Sequence, residues 1–400
     1  MLNNYDGKFR DQRWLVAHNA WNTEMAPNQF KTVTELLDYG VRGLALDIYG
    51  DDEKSLHLQH GHGNIASRTI WKKILEELDA WLQKNTDQIV TLFFESYLTG
   101  PTDASPNTAL NSLHDSLKRV TGFVPNRVLQ VQAIVTKTLK QLVKDNQRLF
   151  AFIEKEPDEG FQLLFPSMWE QIHENVYGNP SLKIPTWVNI RPGSFPIPIG
   201  KELTFMNHFG EAPTGNEWDR NEDSLIKKHA EAFMFAFGGR YPNFISLDYI
   251  NWDSTRRGPI KAIEDLTTRK DFTGVTTFHW QQSNDFDDLY IDINDTKKIT
   301  DFSVNHSPEK GIEKLLPLRG KGVGITEIEL VNMPGRGIVD IRYRKGGAAW
   351  SNWITGYANK GGNNKPANLA KHTINGDLFG ICCRTQKGYG VTDFAAAFRQ

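Results

Sequence analysis

The chain has 400 residues, and 46 Lys plus Arg against 48 Asp plus Glu leave a formal net charge of −2 at pH 7. That balance supplies no basic field to hold nucleic acid, and the apolar runs fall far short of the ~20 residues that a membrane span needs. With 39% hydrophobic and 24% charged residues, the composition is that of a soluble globular chain with a large core, which excludes the collagen, coiled-coil, disulfide-rich and disordered classes.

At about 150 residues per domain the length allows two or three units, or a barrel of about 250 residues or more with a small companion. The first 18 residues, MLNNYDGKFRDQRWLVAH, lack the apolar stretch of a secretory signal, which leaves the compartment open. RWLVAHN (13–19) reads as a short buried strand ending on polar residues, FKTVTELLDYG (30–40) as a helix with a glycine stop, and GLALDIYG (43–50) as another strand. SLHLQHGH (55–62) alternates and turns at Gly61. TIWKKILEELDAWLQKN (69–85) is an amphipathic helix with Ile70, Ile74, Leu78 and Trp81 on one face, and QIVTLFFES (88–96) is the next buried strand.

Further strands are expected at RLFAFIEKE (148–156), ELTFMNHF (202–209) and NFISLDYIN (243–251), with helical stretches at 107–120 and 223–237 between them. Strands alternating with helices argue for a parallel sheet covered by helices. Over some 300 residues the economical solution is an α/β barrel of the (β/α)₈ TIM type, open to distortion. After about residue 305 the texture changes. SPEKGIEKLLPLRGKGVG (307–324) reads as a connector, and alternating strands follow at 325–333, 337–346, 350–358 and 377–385. The expected organisation is a catalytic barrel at 1–305, a linker at 306–324 and a small all-β domain at 325–400. Cys382 and Cys383 are adjacent, so two free thiols in a strand are expected, with neither a long-range disulfide nor a cysteine-based zinc site.

Polar and ionisable residues gather at the C-terminal ends of the expected strands: His18, Asn19, Asp47, His60, Glu95, Lys155 and Asp248. In a barrel that rim is where catalytic groups sit. Asp47 and Glu95 each end an apolar run, so each carboxylate needs a hydrogen bond or a cation. Each of these residues taken alone has an ordinary structural reading. Together they set two histidines and two carboxylates at neighbouring strand ends. Histidines titrate near neutrality and suit a reaction that needs a base on one side and an acid on the other. An Asn oxygen and two carboxylates are hard ligands that suit Ca²⁺ or Mg²⁺ rather than zinc. Base, acid and divalent cation make a kit for phosphodiester cleavage.

LVAHNAWN (15–22), YGVRGLALDIYGD (39–51), LQHGHGNIASR (58–68), VTLFFES (90–96) and FISLDYINW (244–252) together resemble the catalytic X region of the phosphatidylinositol-specific phospholipases C. The resemblance is tight over roughly residues 10–100 and loose over 250–300 residues. It implies cleavage of phosphatidylinositol to diacylglycerol and a cyclic inositol phosphate by attack of the inositol 2-hydroxyl. It makes His18 the general base, oriented by Asp248, and His60 the general acid. It makes Asn19, Asp47 and Glu95 ligands of one calcium ion, and Lys155 a substrate contact.

Two departures bear on the metal. The metal-free bacterial members carry an Arg where this chain has Tyr49, which favours the calcium-dependent type. That type has a Glu where this chain has Ala45, so Asp51, Asp52 or water would have to fill the gap, with calcium affinity in the weaker range of ~10⁻⁴–10⁻³ M. The implied partner is a phospholipid at a membrane surface, touched peripherally by a monomer, and the family leans toward secretion. The aromatic loop TWVNIRPGSFPIPIGK (186–201) and the region of Trp350 and Trp353 are candidate docking segments, each with an ordinary packing alternative. DFDDLYIDIND (285–295) reads as a solvated acidic strand end rather than a second cation site. One rival is a glycerophosphodiester phosphodiesterase or sphingomyelinase D-like enzyme, although both usually place a Glu at position 45. The other is a non-catalytic binder of inositol headgroups, which would have little use for two histidines beside metal ligands.

Overall fold

A computed structural model of the chain describes residues 6–23, 27–60, 68–98, 107–154, 164–176, 203–210, 220–250, 257–278, 288–307, 311–333, 337–355, 368–373, 376–386 and 390–399. Lys155 and the loop 186–201 lie outside the described residues. Two compact units emerge. One comprises Met1–Pro180, Asn189–Lys227 and Pro242–Thr268; the other comprises Ser181–Val188, Lys228–Tyr241 and Arg269–Gln400.

The first unit is built on a sheet of β1 (Trp14–Ala17), β2 (Gly43–Gly50), β3 (His57–Leu58), β4 (Thr69–Ile70), β5 (Val90–Leu98), β6 (Leu149–Glu154), β7 (Ile172–Glu174), β8 (Leu203–Asn207) and β9 (Phe244–Leu247). Parallel pairing runs β7-β8-β9-β1-β2-β5-β6. The short β3 and β4 add antiparallel to the C-terminal half of β2. The expected helix after β1 is α1 (Val33–Tyr39). It opens with a capping box in which the Thr32 side chain accepts from the Glu35 N–H and Gly40 at φ 125° closes the last turn. α2 (Trp71–Lys84) buries Trp71, Ile74, Leu78, Trp81 and Leu82, the stripe that its periodicity predicts. Ile70, assigned to that face from the sequence, instead precedes the helix and is 63% exposed.

The strands bury one face on a shared aromatic cluster. Phe93 of β5 meets Phe205 of β8 and Phe244 of β9 edge-on, with ring centroids 4.9 and 4.8 Å apart, and stacks at 5.7 Å on Phe152 of β6. Strands far apart in pairing order therefore touch through their side chains, so the sheet is curled. Among the described residues β6 and β7 share no ladder; an isolated parallel bridge joins Ile153 of β6 to Ser167, ahead of β7. The architecture is mixed α/β, and the closed eight-stranded barrel expected from the sequence is not formed by the ladders among the described residues.

Among its described residues the second unit is all-β apart from part of the helix Asp223–Ala236 and the turns that join its strands. Its strands are β10 (Gly274–Phe278), β11 (Asp288–Ile293), β12 (Ile299–Ser307), β13 (Gly311–Arg319), β14 (Ile325–Met333), β15 (Gly337–Lys345), β16 (Asn368–Thr373), β17 (Asp377–Gln386) and β18 (Gly390–Arg399). They form sheets in the orders β10-β18-β17-β11, β12-β13 and β15-β14-β16. One core, including Ile299, Ile328, Ile341, Ile381 and Phe394, serves all three. Half of segment 307–324, read as a connector, is β13, which pairs antiparallel with β12, and the β strands of this unit start well before residue 325. β11 takes up the acidic stretch, with Asp292 paired to Arg319. Cys382 and Cys383 are buried thiols of β17, with no disulfide between them.

Candidate functional site

Side chains alternate across a strand, and that phase builds the site. Val16, Phe93, Phe152, Phe205 and Phe244 belong to the aromatic core, with Ala45 packed against it. Two residues further along each strand, on the same face, come His18, Glu95, Glu154, Asn207 and Ser246, with Asp47 two past Ala45; Asp248 follows Ser246. The polar rim is thus the layer above the core. Pairing fixes who is beside whom: Asp47 stands opposite Glu95, and Glu95 opposite Glu154.

His18 Nδ1 is 2.8 Å from Asp248 Oδ1, joining the tip of β1 to that of β9. The ring lies flat on Phe209, with centroids 3.7 Å apart and planes 8° off parallel. Burial works against the charged imidazole, but the Asp248 carboxylate, with help from Asp47 and Glu95, outweighs it and raises the pKa of His18. On His60 burial and the charge of His18 prevail, and its pKa is lowered. Each histidine feels the charges of the other's surroundings, which puts both rings in one electrostatic neighbourhood.

The loop after β1 supplies the connection. Asn28, 2% exposed, donates through Nδ2 to Asp248 Oδ1 at 3.0 Å, while its Oδ1 lies 3.0 Å from His60 Nδ1. Asn22 donates to that same oxygen at 2.8 Å. Asn19 reaches His60 Nδ1 through Nδ2 at 2.9 Å, from a backbone with φ 45°, a conformation that asparagine tolerates better than most residues. The next residue, Gln29, donates to the His18 and Leu247 carbonyls at 2.8 and 3.0 Å and accepts from the Ile250 N–H, tying β1 to β9.

Asp47 is 9% exposed beside Glu95, and its carboxyl is pushed up to about 8 by burial first, then by Glu95, with Glu154 adding to the effect. The Tyr97 hydroxyl donates to Glu95. Tyr49 stacks at 4.6 Å on Tyr97 and brings no positive charge to the position. Among the described residues no three His, Cys, Asp or Glu side chains converge as a ready-made metal cage. The donor set nevertheless fits a hard cation. Carboxylates crowd side by side with too little positive charge to neutralise them, and Asn19 Oδ1 is buried without a hydrogen-bond partner. Asp52, a candidate for the gap at Ala45, is committed elsewhere: its Oδ1 accepts from the Lys54 and Ser55 N–H groups of its own turn. Ala45 itself packs against the aromatic core, a layer below the rim.

The structure therefore brings together His18, Asn19, His60 and Asp248 through hydrogen bonds, with Asp47 and Glu95 side by side on the neighbouring strands. Sequence reasoning missed Asn22, Asn28, Gln29, Phe209 and Glu154. Glu154 was within reach, because counting in twos from a core phenylalanine lands on it. The loop amides carry no such period.

The model of the PI-PLC X family (PI-PLC X 1) matches residues 8–258, a span that contains every residue named above. The chain belongs to the PI-PLC X domain family. A PI-PLC X domain-containing protein of Arabidopsis thaliana is 27% identical over 260 residues, 60% of this chain and 58% of that relative, so the match spans a little over half of the relative's length. Among solved structures, an F249X mutant of the phosphatidylinositol-specific phospholipase C of Staphylococcus aureus is similar at 10% identity, covering 66% of this chain and 94% of that one with a TM-score of 0.43. The Listeria monocytogenes phosphatidylinositol-specific phospholipase C is similar at 13% identity, covering 66% and 96%, with a TM-score of 0.42.

Proposed function

We propose that this protein cleaves phosphatidylinositol into diacylglycerol and a cyclic inositol phosphate. The observation that carries the reading is the hydrogen-bonded chain His18–Asp248–Asn28–His60 beside a row of strand-end carboxylates. With Nδ1–H given to Asp248, His18 keeps Nε2 to accept the proton of the inositol 2-hydroxyl. The oxygen so freed bonds to phosphorus while the bond from phosphorus to the glycerol oxygen breaks, and His60 delivers a proton to that leaving oxygen. One proton enters at His18 and one leaves from His60, so the pair ends reversed and solvent resets it. The nucleophile belongs to the substrate, which is worth several kcal/mol of pre-paid orientation.

Calcium, held by Asn19 Oδ1, Asp47 and Glu95, would offset the charge on the phosphoryl oxygens. We assign to Glu154, in register with Glu95, the ligand position that Ala45 leaves empty. Lys155, the next residue, is assigned to substrate contact, and a phospholipid substrate requires peripheral contact with a lipid surface.

The test is release of cyclic inositol phosphate from phosphatidylinositol vesicles by the full chain, with calcium and after chelation. Turnover should need calcium, and His18→Ala or His60→Ala should each lower it by about 10²–10⁴-fold. Near-normal activity in either variant removes the role assignment. Turnover of glycerophosphodiesters or sphingomyelin in place of phosphatidylinositol supports the rival enzymes.

A further inference from the structure

We infer that Asn28 is a positioning residue that couples the base to the acid, holding both imidazoles with Nδ1 turned away from the substrate. The inference rests on the proposed phosphodiester cleavage. It follows from what one buried carboxamide presents at its two ends. Its N–H group faces a carboxylate, Asp248 Oδ1, which also takes His18 Nδ1 at 2.8 Å. Its oxygen faces His60 Nδ1. A carboxylate at position 28 would repel Asp248, and an apolar residue would take one donor from Asp248 and leave the Asn19 N–H group facing His60 Nδ1. The amide orientation is fixed by Asn22, whose N–H group donates to the Asn28 oxygen.

An imidazolium at His60, the form an acid needs, carries a proton on Nδ1, and Asn28 Oδ1 is an acceptor for it at 3.0 Å. Once Nε2 has given its proton away, the same acceptor draws the remaining Nδ1–H, against the Asn19 N–H group that lies 2.9 Å from the same nitrogen. Asn28 thereby biases the mobile proton toward Nε2 of His60, as Asp248 does for His18. The Asn28 backbone carbonyl also accepts from the Tyr249 N–H at 2.7 Å, and Tyr249 follows Asp248 at φ 52°. The loop that orients His60 therefore also fixes the backbone turn that aims Asp248.

The experiment compares Asn28→Ala and Asn28→Asp with the wild type. Asn28→Asp keeps an oxygen toward His60 and loses the donor to Asp248, and it serves if the alanine variant does not fold. In Asn28→Ala, kcat should fall about tenfold to a hundredfold, the worth of a charge-assisted hydrogen bond, with KM within about twofold. Ring-nitrogen NMR of the ¹⁵N-histidine-labelled protein should show the Nδ1–H form of neutral His60 in the wild type and its loss in favour of Nε2–H in Asn28→Ala, where the Asn19 N–H group is left facing Nδ1. Asn28→Asp should keep the His60 tautomer and still lose kcat. An unchanged His60 tautomer in Asn28→Ala, or an unchanged kcat, overturns the coupling. A wild type that turns over no phosphatidylinositol but shows the expected nitrogen signals overturns the function and leaves the coupling standing.

Discussion

The two histidines are pulled in opposite directions, His18 upward and His60 downward in pKa. The reaction proposed above needs His18 neutral and His60 charged, which inverts the order in which the protons leave. A bell-shaped pH profile results all the same, its limbs belonging to the pair rather than to either ring, and only a minority of molecules stand ready. Part of the rise at His18 comes from Asp47 and Glu95. A cation on those carboxylates cancels that part, so adding calcium should move the His18 ring titration to lower pH. NMR titration with and without calcium checks the sign, and an unmoved curve separates the cation from the base. At this scale the ionisable residues were legible, because a charge that ends an apolar run must find a partner. The amides were not: Asn22, Asn28 and Gln29 sit in an aperiodic loop, and their worth appears only where that loop meets β9, some 220 positions away.

Among the elements, β2, β5 and β6 deliver Asp47, Glu95 and Glu154 to one rim through shared register and period-two phase. The folded state holds a proton on Asp47 up to about pH 8, whereas an unfolded chain releases it near 4. The cation-free protein therefore loses stability as pH rises through that window. Asp47→Asn should raise the melting temperature at pH 8 without calcium by a few degrees, on the order of 1 kcal/mol, and should leave it unchanged below pH 4. Calcium should stabilise the wild type and not the variant. Equal melting at pH 8 would show that Asp47 carries no such penalty. The strand ends were readable from the apolar runs, but the β12–β13 hairpin was not, since its glycines and proline look like punctuation. Pro317 pairs with Phe302 in a two-stranded sheet, where a residue without an N–H can face the unpaired edge. Barrel closure was an inference from strand count, which says nothing of whether the last gap acquires a ladder.

For the whole molecule, the sequence reading divides the chain at 306–324, whereas the second unit takes in Arg269–Gln400 with β10 to β13, of which β11 reads as an acidic strand end and β13 as a connector. In the second unit the segment after β15 runs back along it. Ser351 N–H donates to the Tyr343 carbonyl, and Ile354 N–H to that of Ile341. Arg342 sits over Trp350 and Trp353 at 5.0 and 4.6 Å, and Arg344 over Trp350 at 5.4 Å. These rings already hold cations, so bracing describes them better than a ligand platform. Trp353→Ala should cost the protein about 1–2 kcal/mol in denaturant unfolding with vesicle binding unchanged. Lost vesicle binding at unchanged stability would make them a docking face. In the first unit β1 pairs with β9 along its whole length, Trp14–Ala17 against Phe244–Leu247, and the partner that orients His18 stands 230 residues downstream. A nascent chain leaving the ribosome thus displays His18, the proposed base, long before that ring has been given a direction. On that proposal competence arrives late and all at once, when β9 slots in beside β1.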